Sequence, residues 1–458
     1  MKNSFDVMVI GAGSAGRYGA KVAAKEGASV ALIEAGPFGG LCILKGCMPT
    51  KAYLRSSEII GLLKKSAEVG IYPGSTPEIR FDQIKTRKDR LIAEMADDAR
   101  LGVENVENIT LLSGKARFIS KNCLQVGQTQ YTCQKFLIAT GSRVVIPPFP
   151  GLEETGYFTS DDALELDKLP GSMIVLGGGA EALEFGQFFN RMGVKTSLLQ
   201  RSQQILSKED ADIGIALADI LRNDGIDLKT GVQVNGIEKK GALKRVSFET
   251  NGKKEALEAE KILLVTGRTG NIDHLHLETA EVETDQLGVP VNDFLQTSNG
   301  NIYAAGDVTG IHQVVNVATL QGKVAGTNLV KGPVKKADYR VIPSAVFTDP
   351  EFARVGLSER EAREQKINIR VGKFPFSDLG KAIVTDRMEG FIKIIATPES
   401  GEILGIQILG AEASNLIHQG VLAMHYRATL EEYAAISHIH PTLGEAMLYL
   451  VEDMIGAV

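Results

Sequence analysis

The sequence predicts an α/β protein in which one supersecondary unit occurs twice and is followed by a C-terminal α+β region. Each copy consists of an apolar strand-like run, a glycine-rich turn, a helical stretch and a second apolar run, over residues 7–34 and again over residues 173–199. Strands that alternate with helices favour a parallel sheet with helices packed against it. From about Tyr339 the pattern changes to alternating strand-like runs and two helices, which indicates a separate domain.

Composition excludes several classes of protein. The 458 residues exceed one ordinary core and predict two to four domains. The net charge of −6, with Lys and Arg scattered along the chain, argues against a nucleic-acid surface. No apolar run reaches the ~18 residues that a membrane span needs, and the N-terminus leads into a strand pattern without signal-peptide architecture. We therefore expect a cytoplasmic protein that binds neither nucleic acid nor membrane.

The first glycine-rich turn has the spacing of a dinucleotide-binding motif. Gly11, Gly13 and Gly16 permit a tight turn, close approach to a pyrophosphate and close packing of helix on strand. The following helix offers free N–H groups and a positive dipole end to phosphates. Glu34 ends the second strand, where a carboxylate accepts hydrogen bonds from ribose hydroxyls. A glycine-rich turn that binds no ligand is the alternative. The dinucleotide-binding interpretation is favoured because the strand, the helix and the acid all occur at the expected positions.

The second copy of the unit predicts a second nucleotide site. Gly177 and Gly179 lie in its glycine turn. Two further segments, residues 136–142 and 262–268, each consist of an apolar run followed by Thr-Gly. The first contains Thr140 and Gly141, and the second contains Gly267. We predict that these five residues contact nucleotide cofactors.

Cys42 and Cys47 lie five residues apart, directly after the first nucleotide-binding unit. On a regular helix their Cα atoms would be roughly 8.6 Å apart, whereas a disulfide tolerates at most about 7 Å. Pairing them requires a distorted turn, which Gly46 permits and Pro49 promotes because it cannot donate a hydrogen bond to the Lys45 carbonyl. So short a loop favours a reducible bond. Two unrelated buried thiols, as we expect for the other two cysteines, or a metal site are the alternatives.

A histidine near the C-terminus is a candidate for proton exchange with a thiol. Pro441 suits the first position of an apolar helix that runs over residues 446–455, so His440 should lie at the N-terminal boundary of that helix. Glu445 is placed to orient the imidazole and to stabilise its charged form. Imidazole titrates close to working pH, which suits a proton acceptor. For His438 a structural role is favoured.

Together these motifs resemble the pyridine nucleotide-disulfide oxidoreductases, the family that includes dihydrolipoamide dehydrogenase and glutathione reductase. The resemblance covers essentially the whole chain, and the motifs occur in the family's order. It implies two Rossmann-like dinucleotide-binding domains and a C-terminal α+β dimerisation domain. The implied division is an FAD-binding domain (first part) at 1–150, an NAD(P)-binding domain at 151–270, the second, central part of the FAD-binding domain at 271–338, and an interface domain at 339–458.

The resemblance also implies roles for single residues. Cys42 would be the interchange thiol that meets the substrate, and Cys47 the thiol nearest the flavin. Asp307, in a segment similar to the family's second FAD motif, would reach the ribityl hydroxyls. Lys51 and Glu184 match the family's Lys–Glu pair beside the flavin ring.

The mechanism implied by the resemblance uses FAD together with NAD or NADP. A dithiol attacks Cys42, His440 takes the proton, and Cys47 is released as a thiolate against the flavin. The reduced flavin then gives hydride to a nicotinamide, and the reverse direction is equally available. By resemblance the protein is a homodimer in which His440 and Glu445 act on the disulfide of the other subunit.

The form His-x-His-Pro-Thr-Leu-x-Glu is closer to dihydrolipoamide dehydrogenases than to glutathione reductases, and it favours dihydrolipoamide on a lipoyl carrier protein as the substrate. Asn328 stands where glutathione reductases carry a basic residue that grips glutathione. Mercuric reductases usually carry a vicinal cysteine pair at the C-terminus, and the last residues of this sequence contain none. Leu44, Asn316 and Gln321 depart from the dihydrolipoamide dehydrogenase pattern, where Asn, His and Glu are usual. An unusual dithiol or a different carrier therefore stays open.

The choice of nicotinamide cofactor is open. NAD-specific members usually end the second strand of the second unit with an acid, whereas this sequence has Gln200 and Arg201. Without the acid a 2′-phosphate is not repelled, and Arg201 can form a bidentate pair with it. A solvated surface arginine is the alternative. The residues favour NADPH slightly, and the lipoamide resemblance favours NAD.

Three other functions compete with this interpretation. One is an NADPH-dependent disulfide reductase of the glutathione or mercuric reductase type. Another is a flavoprotein oxidase or transhydrogenase that does not use the disulfide. The third, a non-catalytic subunit that binds FAD for structure, fits poorly with an intact set of Cys42, Cys47, His440 and Glu445.

Overall fold

The computed structural model describes residues 3–75 and 77–456. The chain forms two compact units, each assembled from three segments. The first unit comprises Met1–Ala52, Asp82–Val145 and Gly267–Asp338, and the second comprises Tyr53–Phe81, Ile146–Thr266 and Tyr339–Val458. None of the helices within the described ranges is both long and apolar enough to cross a membrane.

The strands of the described residues are β1 (Ser4–Ile10), β2 (Val30–Glu34), β3 (Ile109–Ser113), β4 (Ala116–Ser120), β5 (Cys123–Val126), β6 (Thr129–Ile138), β7 (Ser142–Val144), β8 (Phe158–Thr159), β9 (Ser172–Leu176), β10 (Lys195–Leu199), β11 (Asp227–Lys229), β12 (Gln233–Lys240), β13 (Leu243–Thr250), β14 (Lys253–Ala259), β15 (Lys261–Leu264), β16 (Arg268–Gly270), β17 (Ile302–Ala304), β18 (Ser344–Val346), β19 (Glu351–Gly356), β20 (Arg370–Pro375), β21 (Phe391–Ala396) and β22 (Ile403–Gly410).

The α-helices of the same residues are α1 (Ser14–Lys25), α2 (Gly40–Leu44), α3 (Cys47–Lys65), α4 (Phe81–Glu104), α5 (Leu152–Thr155), α6 (Ser160–Ala163), α7 (Ala180–Arg191), α8 (Ala211–Asn223), α9 (Val315–Lys331), α10 (Glu359–Glu364), α11 (Gly380–Val384), α12 (Ala413–His425), α13 (Leu430–Ala434) and α14 (Glu445–Ile455). Short 3-10 helices occupy Ser66–Val69, Leu277–Ala280, Asp307–Thr309 and Phe376–Asp378.

The first unit is built on a seven-stranded sheet in the order β3-β2-β1-β6-β5-β4, with β17 beside β6. The strands β3, β2, β1, β6 and β17 pair in parallel. Residues 7–10, 30–33, 136–138 and 302–304 of these strands are apolar and buried, as expected where both faces of a parallel sheet are covered. Small residues let α1 and α9 approach closely, since a Cβ built on Gly322 would lie 2.3 Å from the Ala15 carbonyl oxygen. The carboxyl ends of β1, β2 and β17 thus meet at one edge of this sheet, where a ligand site is expected.

The second unit contains two five-stranded sheets and a three-stranded meander. The parallel sheet has the order β11-β10-β9-β15-β8, the meander the order β12-β13-β14, and the C-terminal antiparallel sheet the order β18-β19-β22-β21-β20. The repeated supersecondary unit therefore folds as predicted, as β9, α7 and β10. An α/β protein with an α+β C-terminal region is confirmed.

The C-terminal region has more helical segments than the two predicted. Five lie within the described residues, α10 to α14, and only α12 and α14 exceed ten residues. The other three have five or six residues, which is too short to show a helical period in the sequence.

Buried charges tie the C-terminal sheet to the start of α8 within the second unit. Lys393, on β21, donates to Asp210 at 3.1 Å and to Asp212 at 2.8 Å, and its side chain is 3% exposed. Burial lowers the pKa of Lys393, but the hydrogen bonds that it donates to Asp212 and Asp210 outweigh burial and hold the pKa above its ordinary value. The lysine therefore stays charged and paired.

Candidate active site

The first glycine turn packs tightly against the start of α1 and the end of β6. A Cβ built on Gly16 would lie 1.8 Å from the Gly11 carbonyl oxygen, and one on Gly11 would lie 2.3 Å from the Ala139 carbonyl oxygen. Only glycine therefore lets helix, turn and β6 come this close. Gly13 is the N-cap residue and has no side chain to cap the helix, so the first N–H groups of α1 are left to an anion.

Glu34 is held in place at the carboxyl end of β2. Its Oε2 accepts from the Ala12 N–H at 2.8 Å, and its Oε1 accepts from the N–H groups of Ala35 at 2.8 Å and Gly36 at 3.0 Å. These bonds fix the carboxylate beside the glycine turn, and Oε2, which accepts one hydrogen bond, keeps a lone pair for a further donor. Turn and carboxylate together fit the pyrophosphate and ribose of a dinucleotide.

Asp307 lies at the end of β17 in a polar cluster that the sequence interpretation missed in part. Ser142 donates to Asp307 Oδ2 at 2.8 Å, and Arg268 Nε donates to Ser142 Oγ at 3.0 Å. Burial raises the pKa of Asp307, while the Ser142 hydrogen bond and the charge of Arg268 act against it. The sequence did contain a signal for Ser142 and Arg268, since they directly follow Gly141 and Gly267, which were predicted to contact a cofactor.

Thr140 and its neighbours shape the same edge of the first unit. The Thr140 hydroxyl donates to the Asn271 carbonyl at 2.7 Å, and the Asn271 N–H donates to the Gly141 carbonyl at 2.9 Å. The Gly267 carbonyl accepts from the Val145 N–H at 2.9 Å. These bonds join the connections after β6 and β15. The contact of Thr140, Gly141 and Gly267 with a cofactor stays a prediction.

The helix that carries the two cysteines is interrupted between them, as the sequence predicts. Cys42 lies on α2, which ends at Leu44, and Cys47 begins α3. A Cβ on Gly46 would lie 3.0 Å from the Leu41 carbonyl oxygen, so the chain turns tightly where only glycine fits easily. The Lys45 N–H donates to the Leu41 carbonyl at 2.9 Å and closes α2.

The two thiols of this segment interact directly. No disulfide joins Cys42 and Cys47 in this structure, and their side chains form a hydrogen bond. That hydrogen bond, followed by burial, raises the pKa of Cys42 far above the ordinary value of a thiol, and the charges of Lys51 and Arg17 lower it. Cys42 therefore holds its proton more strongly than an ordinary thiol does.

The remaining cysteines differ from this pair. Cys133 is buried on β6 and donates to the Lys135 carbonyl at 3.0 Å. Burial raises the pKa of Cys133 to about 11. Cys123, on β5, is half-buried. Neither lies at a glycine turn or a helix break, in keeping with the expected structural role.

The second glycine turn repeats the geometry of the first in the second unit. A Cβ on Gly177 would lie 2.1 Å from the Val265 carbonyl oxygen, and Gly179 is the N-cap of α7. Gln200 packs beneath this turn, since a Cβ on Gly178 would lie 2.8 Å from its Cδ. Arg201 is exposed, and its guanidinium forms no ion pair with any residue that the structure describes. Its binding of a 2′-phosphate stays a prediction.

Glu184 and Lys51, the predicted pair beside the flavin, lie in different units. Glu184 is 4% exposed on α7, and its Oε1 accepts from the Phe347 N–H at 2.9 Å. Lys51 lies in the first turns of α3, four residues after Cys47, and its charge acts on Cys42. Their pairing stays a prediction.

His440 and Glu445 form the predicted pair in the second unit. His440 Nδ1 lies 2.9 Å from Glu445 Oε1, and Thr442 N–H and Tyr449 O–H also donate to this carboxylate at 2.7 and 3.1 Å. Burial raises the pKa of Glu445, but the three hydrogen bonds outweigh it and hold the pKa below its ordinary value. The His440 side chain is 74% exposed. The imidazole is therefore oriented through Nδ1 and presents Nε2 outward.

The helix predicted over residues 446–455 is present and begins one residue earlier, at Glu445. Pro441 is not its first residue, and His440 does not lie at its boundary, because both precede α14 by at least four residues. The reason is local, because Thr442 donates its hydroxyl to the Ile439 carbonyl and its N–H to Glu445, and so forms a turn before the helix. The acid therefore stands at the positive end of α14, which favours its charged form.

His438 has the structural contacts that were expected of it. Its Nδ1 lies 2.8 Å from the Ile436 carbonyl oxygen and its Nε2 lies 3.1 Å from the Tyr433 hydroxyl. Tyr433 in turn donates to Gln419 Oε1 at 2.7 Å. Both ring nitrogens of His438 are thus engaged, and His440 is the histidine of this segment that faces outward.

Two family models match this sequence. The one described as pyridine nucleotide-disulphide oxidoreductase matches residues 5–322, and the one described as its dimerisation domain matches residues 342–451. The resemblance inferred from the motifs is confirmed. The second match supports a homodimer.

Curated relatives and a solved structure agree with these matches. Mercuric reductase of Lysinibacillus sphaericus is 35% identical over 447 residues, which cover 97% of this chain and 82% of the relative. Dihydrolipoyl dehydrogenase of Chlamydia muridarum is 36% identical over 453 residues, which cover 97% and 96%. The structure of the HOCl-induced flavoprotein disulfide reductase RclA from Escherichia coli has a TM-score of 0.87 at 28% identity and covers 98% of this chain and 99% of that one.

The hydrogen bonds to Glu445 predict a carboxyl group that titrates below its ordinary range. Because the folded-state pKa is lowered, the contribution of these bonds to stability is present above the pKa of the unfolded chain and is lost as pH falls through the folded pKa. A ¹³C NMR titration of labelled glutamate carboxyls, assigned with Glu445→Gln, should show this shift. Tyr449→Phe should move the pKa part of the way back, and an ordinary pKa in the unmodified protein would contradict the prediction.

Proposed function

This chain belongs to the pyridine nucleotide-disulphide oxidoreductase family, and from that premise we propose that it moves electrons between NAD(P) and a dithiol or disulfide substrate through Cys42 and Cys47. The observation that carries the proposal is the hydrogen bond between these thiols across the break between α2 and α3. Members of the family depend on FAD and use NAD(P) as electron partner. The protein is accordingly an oxidoreductase.

The residues that would hold FAD come from the first unit. The N–H groups at the start of α1 suit the pyrophosphate, Glu34 suits ribose hydroxyls, and Asp307 suits the hydroxyls of the ribityl chain. Bound FAD would supply two-electron transfer between the dithiol centre and the nicotinamide. The proposed chemistry of this chain's own residues then concerns sulfur and proton transfer.

The proposed exchange runs in two steps. A thiolate of the substrate attacks Cys42 of the oxidised pair, the Cys42–Cys47 bond breaks, and Cys47 leaves with the electron pair. The second substrate thiol then gives up its proton and attacks the substrate sulfur of the mixed disulfide, so that Cys42 leaves as a thiolate. The substrate is oxidised to a disulfide and the protein is reduced to a dithiol.

His440 is proposed as the group that accepts protons from the substrate. The Glu445 carboxylate holds Nδ1 at 2.9 Å, which leaves Nε2 for exchange. The exposure of His440 in one chain, at 74%, suits a group that completes a site of the partner subunit. We propose that this occurs in a homodimer formed through the C-terminal domain.

The proposed substrate class is dihydrolipoamide or a related dithiol on a carrier. The support is the paired histidines of the segment that contains His438 and His440, together with the similarity to dihydrolipoyl dehydrogenase. A second candidate, reduction of Hg(II), is favoured by the similarity to mercuric reductase over 97% of this chain. Both need Cys42, and they differ in the electron acceptor.

Spectroscopy and kinetics test the dithiol chemistry. We expect a yellow protein that gains a long-wavelength absorption band on addition of one equivalent of reductant, and Cys47→Ser should abolish this band. Cys42→Ser should lower dithiol turnover by several orders of magnitude, whereas Cys123→Ser, a cysteine of similar burial elsewhere in the first unit, should leave it unchanged. Turnover that survives Cys42→Ser would support a flavoprotein oxidase or transhydrogenase. Parallel assays of dihydrolipoamide with NAD⁺ and of Hg(II) with NADPH decide between the two substrates.

Mixed dimers test whether His440 acts on the partner. His440→Ala alone should lower turnover about 10²- to 10⁴-fold, as expected for loss of a general base. Co-expression of Cys42→Ser and His440→Ala chains with different tags, followed by isolation of the heterodimer, should restore about half of the original activity, because one site then holds both intact groups. A heterodimer as inactive as its parents would show that His440 acts within its own chain.

Exchange of Arg201 tests the choice of nicotinamide. If it pairs with a 2′-phosphate, Arg201→Gln should raise KM for NADPH roughly 10- to 100-fold and leave KM for NADH unchanged, since hydrogen bonds to a charged group contribute about 1.5–3 kcal/mol. Lys195→Gln, at the opposite end of β10, is the matched control and should change neither constant. Equal or better use of NADH by the unmodified protein would contradict this role of Arg201.

A further inference from the structure

We propose that Arg17 is the electrostatic partner of Cys42, and that its guanidinium stabilises the sulfur of Cys42 when that sulfur leaves as a thiolate. This inference rests on the proposed function and extends it to a residue outside the dithiol segment. The sequence places Arg17 directly after Gly16, at a position that the G-x-G-x-x-G spacing does not specify. The assignment follows from the packing of α1 on α2.

The first turn of α1 and the start of α2 are in direct contact. A Cβ built on Gly40 would lie 2.4 Å from the Gly13 Cα, so the two backbones touch. Arg17 stands one helical turn after Gly13, as its N–H donates to the Gly13 carbonyl at 3.0 Å. Cys42 stands two residues after Gly40. The contact therefore brings the side chain of Arg17 to the helix that carries the interchange thiol.

The guanidinium of Arg17 has an unused donor. Its Nε is buried and makes no hydrogen bond to any residue that the structure describes. A buried donor without a partner is costly and calls for an explanation. Burial lowers the pKa of Arg17, and the nearby Tyr18 and Cys42 act in the opposite direction. An anion formed at the neighbouring sulfur would be attracted to this guanidinium, and the loss of charge by Arg17 itself is excluded by its very high pKa.

The charges around Cys42 set the cost of that anion. Cys47, on α3, raises the pKa of Cys42 by its hydrogen bond and its charge, and burial adds to this. Two cations act in the opposite direction, Lys51 on α3 and Arg17 on α1. Loss of Arg17 would remove one of these two cations and leave the effect of Cys47 less opposed.

The step that benefits is the second half of the exchange. When the substrate's second thiolate attacks the mixed disulfide, the bond between substrate sulfur and Cys42 breaks and its electron pair remains on Cys42. A thiol of lower pKa leaves faster. The guanidinium thus favours completion of the exchange, and the proton needed later by Cys42 comes from His440 or solvent.

Alkylation of the reduced holoprotein measures this effect without turnover. The FAD-loaded protein, reduced anaerobically, is treated with iodoacetamide, a neutral reagent, and the modification of Cys42 is followed by peptide mass spectrometry across a range of pH. We expect Arg17→Gln to slow alkylation of Cys42 roughly tenfold near neutral pH and to move its pH profile to higher pH, because an opposite charge nearby lowers a pKa by about one unit or more. Arg17→Lys, which keeps the charge, should recover most of the rate.

Lys21→Gln supplies the matched control. Lys21 lies one turn further along α1, where its Nζ approaches α4, 3.6 Å from a Cβ built on Gly102. Its removal should leave the alkylation profile unchanged. Equal profiles for the unmodified protein and Arg17→Gln would overturn the inference. Arg17→Met, which keeps the aliphatic stem, replaces Arg17→Gln if that variant loses FAD absorbance.

The outcome also separates this inference from the proposed function. If the oxidised protein contains no bond between Cys42 and Cys47 by mass spectrometry, the proposed function fails, whatever Arg17 does. If the bond forms and the profiles do not differ, only the role of Arg17 fails.

Discussion

Two thiols five residues apart meet because the helix that carries them stops at Leu44 and starts again at Cys47. The turn between the two helices depends on Gly46. A Cβ at this position would lie only 3.0 Å from the Leu41 carbonyl oxygen, so a larger residue would fit poorly. The proposed chemistry depends on this interruption, since a continuous helix would hold the sulfurs too far apart for a bond. The glycine turn before α1 packs against this segment, because Gly13 contacts Gly40 at the start of α2.

The electrostatic environment of Cys42 fits the proposed role of this thiol in exchange with a substrate. Cys42 retains its proton because Cys47 is hydrogen-bonded to it and because it is buried. Ionisation of Cys42 thus depends on groups outside the pair, and two cations, Lys51 and Arg17, act in that direction. A thiol that ionises only with assistance is suited to exchange with a substrate under the control of a base.

The candidate base is built in a different manner. Its imidazole is exposed, whereas the carboxylate that orients it is 5% exposed and accepts three hydrogen bonds. His438, two residues earlier, is held through both ring nitrogens by Ile436 and Tyr433. The segment therefore has one histidine that anchors it and one that faces outward, which gives a physical reason for the paired histidines in the sequence.

Motifs of short range were readable from the sequence alone. The glycine spacings, the acid at Glu34, the need for a break between Cys42 and Cys47, and the pairing of His440 with Glu445 all depend on residues within one or two supersecondary units, whose geometry is set by backbone sterics. The three short C-terminal helices were missed because fewer than two turns show no period, and Pro441 was wrongly placed at the first position of α14 because side-chain bonds of Thr442 override the preference of proline for a first helical position.

Only the tertiary structure brought together residues that are distant in sequence. The contact of Ser142 with Asp307, 165 residues apart, and the packing of Gly13 on Gly40 that carries Arg17 toward Cys42 follow from strand order and helix approach. Such contacts leave no periodic or local signal in a single sequence, because they are fixed by the packing of whole elements. The sequence by itself determined the family, the fold class and the types of chemical group. The packing decided which charges surround each reactive atom.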